Sequence, residues 1–109
     1  MIYLSGRIDV TNFEHYRSQF EQAKEYLTKS VRLYQDHNVV SLFDILDEIR
    51  KTKPLDEFTM GDEIDMRLDV VAKCDKIYLL TGWELDDMCK VESIYAKSKE
   101  KQVIYSKKY

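Results

Sequence analysis

The stretch of residues 75–96, DKIYLLTGWELDDMCKVESIYA, constrains this 109-residue chain more than any other. It opens with Ile77-Tyr78-Leu79-Leu80, an apolar run long enough for a buried strand and too short for a typical helix. Thr81-Gly82 breaks the run, Trp83 follows in the loop, and a helical period takes over from about Leu85. On that predicted helix Glu92 stands in a stripe of Leu85, Met88, Cys89, Tyr95 and Ala96, and none of its neighbours one turn away is charged. Charged residues make up 34% of the chain, so a solvent-facing glutamate would ordinarily have charged neighbours at those spacings. A carboxylate inside an apolar stripe is partly desolvated, which costs free energy unless it is paired or used. Glu92 is therefore the leading functional candidate; the competing role is packing alone, bonded to Tyr3 or Arg67.

The other elements alternate. Residues 1–5 read as a first strand ending at Gly6. Ser5-Gly6-Arg7 is then a tight exit whose backbone N–H groups and hydroxyl can face a ligand, although such a pair is more often a plain turn. Thr11-Asn12-Phe13-Glu14 has the form of a capping box and predicts a helix from about Asn12 to Lys29 or Ser30. Phe13, Tyr16, Phe20, Ala23 and Leu27 form its apolar face. Residues 31–37 are a connector. Residues 39–43 read as a second strand and 44–49 as a short helix with Ile45, Leu46 and Ile49 on one side. Pro54 disfavours helix at the residue before it and closes that element over 51–54, leaving 55–58 as a loop or a fragment of helix.

Thr59-x-x-Asp62 marks a further helix start, with Ile64, Leu68 and Val71 as its buried stripe. Asp62, Asp65 and Asp69 share another face, which reads as a water-facing ridge rather than a metal site. Arg67 differs from them: Ile64, Val70 and Val71 surround it, and Glu63 lies four residues before it in a favourable pairing order. Residues 76–80 and 102–106 are the third and fourth strands.

Strands alternating with helices imply an α/β fold of parallel β-α-β units with right-handed crossovers, with the ligand crevice beyond the carboxyl ends of the strands. The loops meeting there are Ser5-Gly6-Arg7, the residues after Phe43, and Thr81-Gly82-Trp83. The length suits one domain. A net charge of −3, with Lys107-Lys108 the only basic run, argues against a nucleic-acid partner. No apolar run approaches the ~20 residues of a membrane span and no leader opens the chain, so a cytoplasmic protein without a membrane partner is expected. Cys74 and Cys89 then read as buried, reduced thiols. Their spacing, with His15 and His37, fits no zinc pattern, and neither a metal nor a cofactor is expected.

Three pieces together carry a resemblance: Ile2-Tyr3-Leu4-Ser5-Gly6; Cys74-Asp75-Lys76-Ile77-Tyr78-Leu79-Leu80-x-Gly82-Trp83-Glu84; and Glu92 nine residues after that Trp, with Ala96 beyond. The chain resembles small domains related to nucleoside 2-deoxyribosyltransferases, which are frequent in bacteriophage genomes. The likeness covers about residues 1–12 and 60–106. It implies a Rossmann-like, flavodoxin-type three-layer domain with a mostly parallel sheet of four or five strands, and a pocket for a nucleoside or nucleotide. In active relatives a glutamate matched by Glu92 attacks C1′ of the sugar, and the covalent glycosyl-enzyme is resolved by another base or by water. A first-strand tyrosine matched by Tyr3 holds that nucleophile, and an aspartate on the preceding helix serves as acid and base. Ser5, Gly6, Arg7, Arg67, Gly82 and Trp83 are the residues expected around the substrate. The resemblance also carries the expectation of a homo-oligomer, and of the host cytoplasm if the chain is phage-encoded.

Two departures bear on activity. The acid/base aspartate position holds Arg67, and Asp65 and Asp69 lie two residues to either side, roughly 200° around the helix. An arginine with a pKa above about 12 is no general acid near neutral pH, but it can pair with Glu92 or hold a phosphate. Relatives also carry a small-residue turn where this chain has Leu85-Asp86-Asp87-Met88-Cys89, whose aspartates can cap the helix themselves and repel phosphate. The expectation is a nucleoside- or nucleotide-binding domain, with either cleavage or transfer at the N-glycosidic bond through Glu92, or an inactive accessory protein that binds nucleotides or other proteins.

Overall fold

The computed structural model describes residues 1–29, 38–52 and 59–107. Among the described residues there are four strands and four helices, in the order β1 (Ile2–Ser5), α1 (Phe13–Lys29), β2 (Val39–Ser41), α2 (Leu42–Thr52), α3 (Met60–Lys73), β3 (Lys76–Leu79), α4 (Asp87–Ser98) and β4 (Gln102–Tyr105). The sheet is parallel throughout, in the order β2-β1-β3-β4. This is an α/β, three-layer Rossmann-like arrangement with the flavodoxin strand order, as expected. The readings for 31–37 and 53–58, including His37 and Pro54, and for Lys108, fall outside the described residues.

Burial follows from position in the sheet. β1 lies between two neighbours and is covered on both faces, so all four of its residues are buried. β3 is buried from Ile77 to Leu79, whereas β4 at the edge is only partly covered. The core joins these strands to Phe20, Ala23 and Leu27 of α1, Ile45 and Ile49 of α2, Val71 of α3 and Ala96 of α4. Phe13 and Tyr16 pack at its margin, and Ile64 and Leu68 are half-buried beside the buried Val71.

Three local readings are corrected. The α1 cap is Asp9 rather than a box from Thr11. Its carboxylate accepts from the Thr11 N–H at 3.0 Å and the Thr11 hydroxyl at 2.8 Å, capping a 3-10 turn (Val10–Asn12) that runs into the helix. Second, β2 stops at Ser41, and Leu42 and Phe43 already belong to α2. Ser41 Oγ accepts from the Asp44 N–H at 3.2 Å while the Asp44 carboxylate accepts from the Ser41 N–H at 2.9 Å. That reciprocal cap starts the helix at once and overrides the strand preference of the apolar run. Third, Leu85 closes a 3-10 turn (Trp83–Leu85) and is 72% exposed, so it is no part of the Glu92 stripe. α4 starts two residues later because Asp86, in extended backbone, accepts from the Cys89 N–H at 3.0 Å.

The box at Thr59 and Asp62 forms as read, with both bonds made. Asp65 and Asp69 face outward, and Asp69 pairs with Lys73 at 2.8 Å. Among the described residues no helix is long and apolar enough to cross a membrane.

Candidate functional site

Tyr3 and Ser5 alternate along β1 and so point to the same side of the sheet. α3 and α4 pack against one another. Arg67 and Val71 form the buried side of α3, and Cys89, Glu92, Ser93 and Ala96 that of α4. Tyr3, Ser5, Cys89 and Glu92 are wholly buried and Arg67 is 5% exposed.

Glu92 Oε1 carries two bonds. The Ser5 hydroxyl donates to it at 2.7 Å, and Arg67 Nη2 donates to the same oxygen, forming a buried ion pair. Arg67 Nη1 reaches Glu63 Oε1 at 3.3 Å, toward the edge of the site. Ser5 Oγ also lies 3.6 Å from Cys89 Sγ. The single serine proton is committed to Glu92, so the thiol is the donor in that contact. A short relay therefore runs from Cys89 through Ser5 to Glu92.

Protonation follows from burial and neighbouring charge. Burial pushes the Cys89 thiol up to about 12, against a smaller lowering by the Ser5 bond, so it keeps its proton. Burial, reinforced by the adjacent Glu92 carboxylate, raises the Tyr3 phenol well above its ordinary value. For Arg67, burial alone would disfavour the cation; the bonded Glu92 carboxylate outweighs it and holds the guanidinium charged.

Three buried polar atoms of this cluster, Tyr3 Oη, Glu92 Oε2 and Arg67 Nε, have no hydrogen-bond partner among the described residues. Leaving each unmet costs about 1–3 kcal/mol. Two donors and one acceptor are thus left over in the cluster, all three out of reach of solvent. The bond to Glu92 anticipated from Tyr3 is made by Ser5 instead, with the phenol beside it unpaired.

The other candidate residues lie outside this bonded cluster. Gly6 is buried, and a Cβ there would stand 3.0 Å from Leu80 Cβ and 3.1 Å from Phe20 Cζ. The close approach it permits is to the chain's own core. Arg7 is half-buried, with Asp9 as an electrostatic neighbour. Gly82 adopts a left-handed φ of 94°, which turns the chain into Trp83. The Trp83 ring packs 5.2 Å from that of Tyr105, and both line a cleft with Thr81, Glu84 and Ser106. Tyr105 escaped the sequence reading, because nothing local ties a fourth-strand aromatic to a loop Trp. Cys89 shares the Glu92 stripe in the sequence, but its contact with Ser5 joins β1 to α4 and has no local signal.

Asp86 occupies the first-turn Cys89 N–H of α4, so that helix end is capped internally. Among the described residues there is no group of three or more His, Cys, Asp or Glu able to hold a metal ion.

The family model of a domain of unknown function, DUF4406, matches residues 1–105. The chain belongs to the DUF4406 family. No curated protein and no solved structure matches it. The DUF4406 match spans Tyr3, Ser5, Arg67, Cys89, Glu92 and Tyr105 alike, and its description carries no activity.

Proposed function

We propose that this DUF4406 chain is a nucleoside-binding domain, similar to nucleoside 2-deoxyribosyltransferases, in which Arg67 converts the nucleophile position into a binding group. The observation that carries this is the Glu92 carboxylate, wholly buried with one oxygen shared by Ser5 and Arg67. A cation bonded to a carboxylate lowers its nucleophilicity, and the residue from which a departing base would take a proton is an arginine, which has none to give near neutral pH. Tyr3 Oη, Arg67 Nε and Glu92 Oε2 are buried without a hydrogen-bond partner among the described residues, and in this reading sugar hydroxyls meet them once the site opens to the ligand. Asp86, which caps α4, and Asp87, which opens it, disfavour a phosphate at that helix end.

Thermal melts of the intact chain with deoxynucleosides and their monophosphates test this, alongside a chromatographic assay for released base. A ligand at 100 times its Kd stabilises the native state by about 2.7 kcal/mol, so binding registers clearly. A raised midpoint without base release is expected. A null result with every nucleoside and nucleotide would reject the proposal in favour of a protein-interaction role.

Glu92 Oε2 favours a second reading. It is unbonded beside the Tyr3 phenol, and so retains a lone pair for attack on C1′. The C1′–N bond would break as the Glu92 ester forms, the base leaving with a proton from water. Base release abolished by Glu92→Ala in a folded variant would establish transfer or hydrolysis; absence of both release and covalent adduct rejects it.

A further inference from the structure

We propose that the cleft at the carboxyl ends of β3 and β4 seats a nucleobase, and that Glu84 selects bases bearing an exocyclic amino group. This rests on the nucleoside-binding function above and adds where the base lies and which bases are taken. The cleft encloses about 320 Å³ and is lined by Thr81, Trp83, Glu84, Tyr105 and Ser106. That is the small end of the ~300–1,000 Å³ typical of ligand sites and suits one planar ring system.

The aromatic wall is set by the fold. Gly82 turns the chain with its left-handed φ, and the backbone N–H of Trp83 then donates to the Leu80 carbonyl at 3.2 Å, closing the turn just after β3. Tyr105 pairs with Leu79 in the ladder, and the Ser106 N–H donates to the Leu79 carbonyl at 2.8 Å. The backbones carrying both rings are thus bonded to Leu79 and Leu80 at the end of β3, and the ring centroids lie 5.2 Å apart with planes 32° from parallel. The Lys97 ammonium stands 5.9 Å from the Tyr105 centroid. Tyr105 is still 43% exposed, and Trp83 is half-buried beside it. Open aromatic surface on a fixed pair of rings is what a planar heteroaromatic ring covers by stacking.

The rim decides which ring. Glu84 is exposed, lines the cleft, and its carboxylate has no partner among the described residues. A carboxylate only accepts hydrogen bonds. It therefore meets the amino group of cytosine or adenine favourably, and opposes the carbonyl oxygen that uracil presents in the same place.

Trp83 is the single tryptophan of the chain, so its emission reports this cleft. The test titrates the full chain with deoxycytidine, deoxyuridine, deoxyadenosine and deoxyribose, following Trp83 fluorescence and thermal midpoint in parallel. Saturable quenching by deoxycytidine and deoxyadenosine is expected, about tenfold weaker binding of deoxyuridine, and no response to the sugar alone. Tyr105→Ala should weaken deoxycytidine by about tenfold, Tyr105→Phe should preserve it, and Glu84→Gln should bring deoxycytidine and deoxyuridine within about twofold of each other. A raised midpoint without quenching, quenching that does not saturate, or quenching untouched by Tyr105→Ala would overturn the base seat while leaving nucleoside binding in place. An unchanged preference in Glu84→Gln would refute the selection. Neither shift nor quench with any nucleoside would remove both proposals.

Discussion

Replacing Arg67 by methionine removes the cation from a wholly buried carboxylate while keeping most of the side-chain volume. Ser5 would still donate to Glu92 Oε1, but no positive charge would remain in the cluster to offset burial of the carboxylate. Breaking a buried pair from one side costs about 3–5 kcal/mol, because the abandoned ion has neither water nor partner. For 109 residues the unfolding entropy is roughly 0.23 kcal/mol/K, so the midpoint should fall by about 13–22 °C. Glu92→Gln should cost only about 1–2 kcal/mol, since the amide oxygen still accepts from Ser5 and Arg67 keeps Glu63 at 3.3 Å. The double variant, with neither charge left in the core, should recover most of the loss in Arg67→Met. Urea unfolding of the four proteins measures this coupling directly. Equal midpoints for Arg67→Met and the double variant would refute the closed ion pair, and with it the argument that Arg67 restrains Glu92.

The remaining predictions concern the scaffold. Hydrogen bonds from Arg17, at 3.0 and 3.2 Å, hold the Asp47 carboxyl below its usual range. Its folded pKa thus lies under the unfolded value of about 3.9. The pair's contribution is full above that value and drains as pH falls through the folded one. Asp47 is 42% exposed, so the wild-type advantage over Asp47→Asn should be within about 1 kcal/mol at pH 6 and shrink as the pH falls below about 3.9, read from urea midpoints. Gly6→Ala should cost about 1–3 kcal/mol from overpacking against Leu80 and Phe20. Gly82→Ala meets nothing within 4 Å and should cost only the roughly 1–2 kcal/mol of a left-handed backbone; either variant matching the wild type in urea midpoint would contradict the cause assigned to it. Cys74 and Cys89, both buried with raised pKa values, should resist thiol reagents at pH 8 until denaturant is added. Reaction of either at the native rate of a free thiol would contradict the burial described.

Much of the scaffold was legible because its causes are local. The cap at Thr59 needs only Asp62, three residues on, and the buried face of α1 needs only the recurrence of Phe20, Ala23 and Leu27. Misreadings arose where two local preferences competed. An apolar run containing Leu42 and Phe43 suits strand or helix, and the Ser41–Asp44 bonds decided for helix. Leu85 fitted the helical period, but Asp86 capped the helix after it and left Leu85 in solvent.

The sequence by itself determined that Glu92 would lie on the apolar side of α4 and that Arg67 would lie among apolar neighbours on α3, since helical periodicity alone places them there. Only the tertiary structure decided that these two charges meet, that Ser5 rather than Tyr3 holds the carboxylate, and that Trp83 rests on Tyr105. Glu92 lies 25 residues from Arg67 and 87 from Ser5 along the chain. Contacts at such separations depend on strand order and helix packing, which bring together residues whose local patterns carry no record of one another.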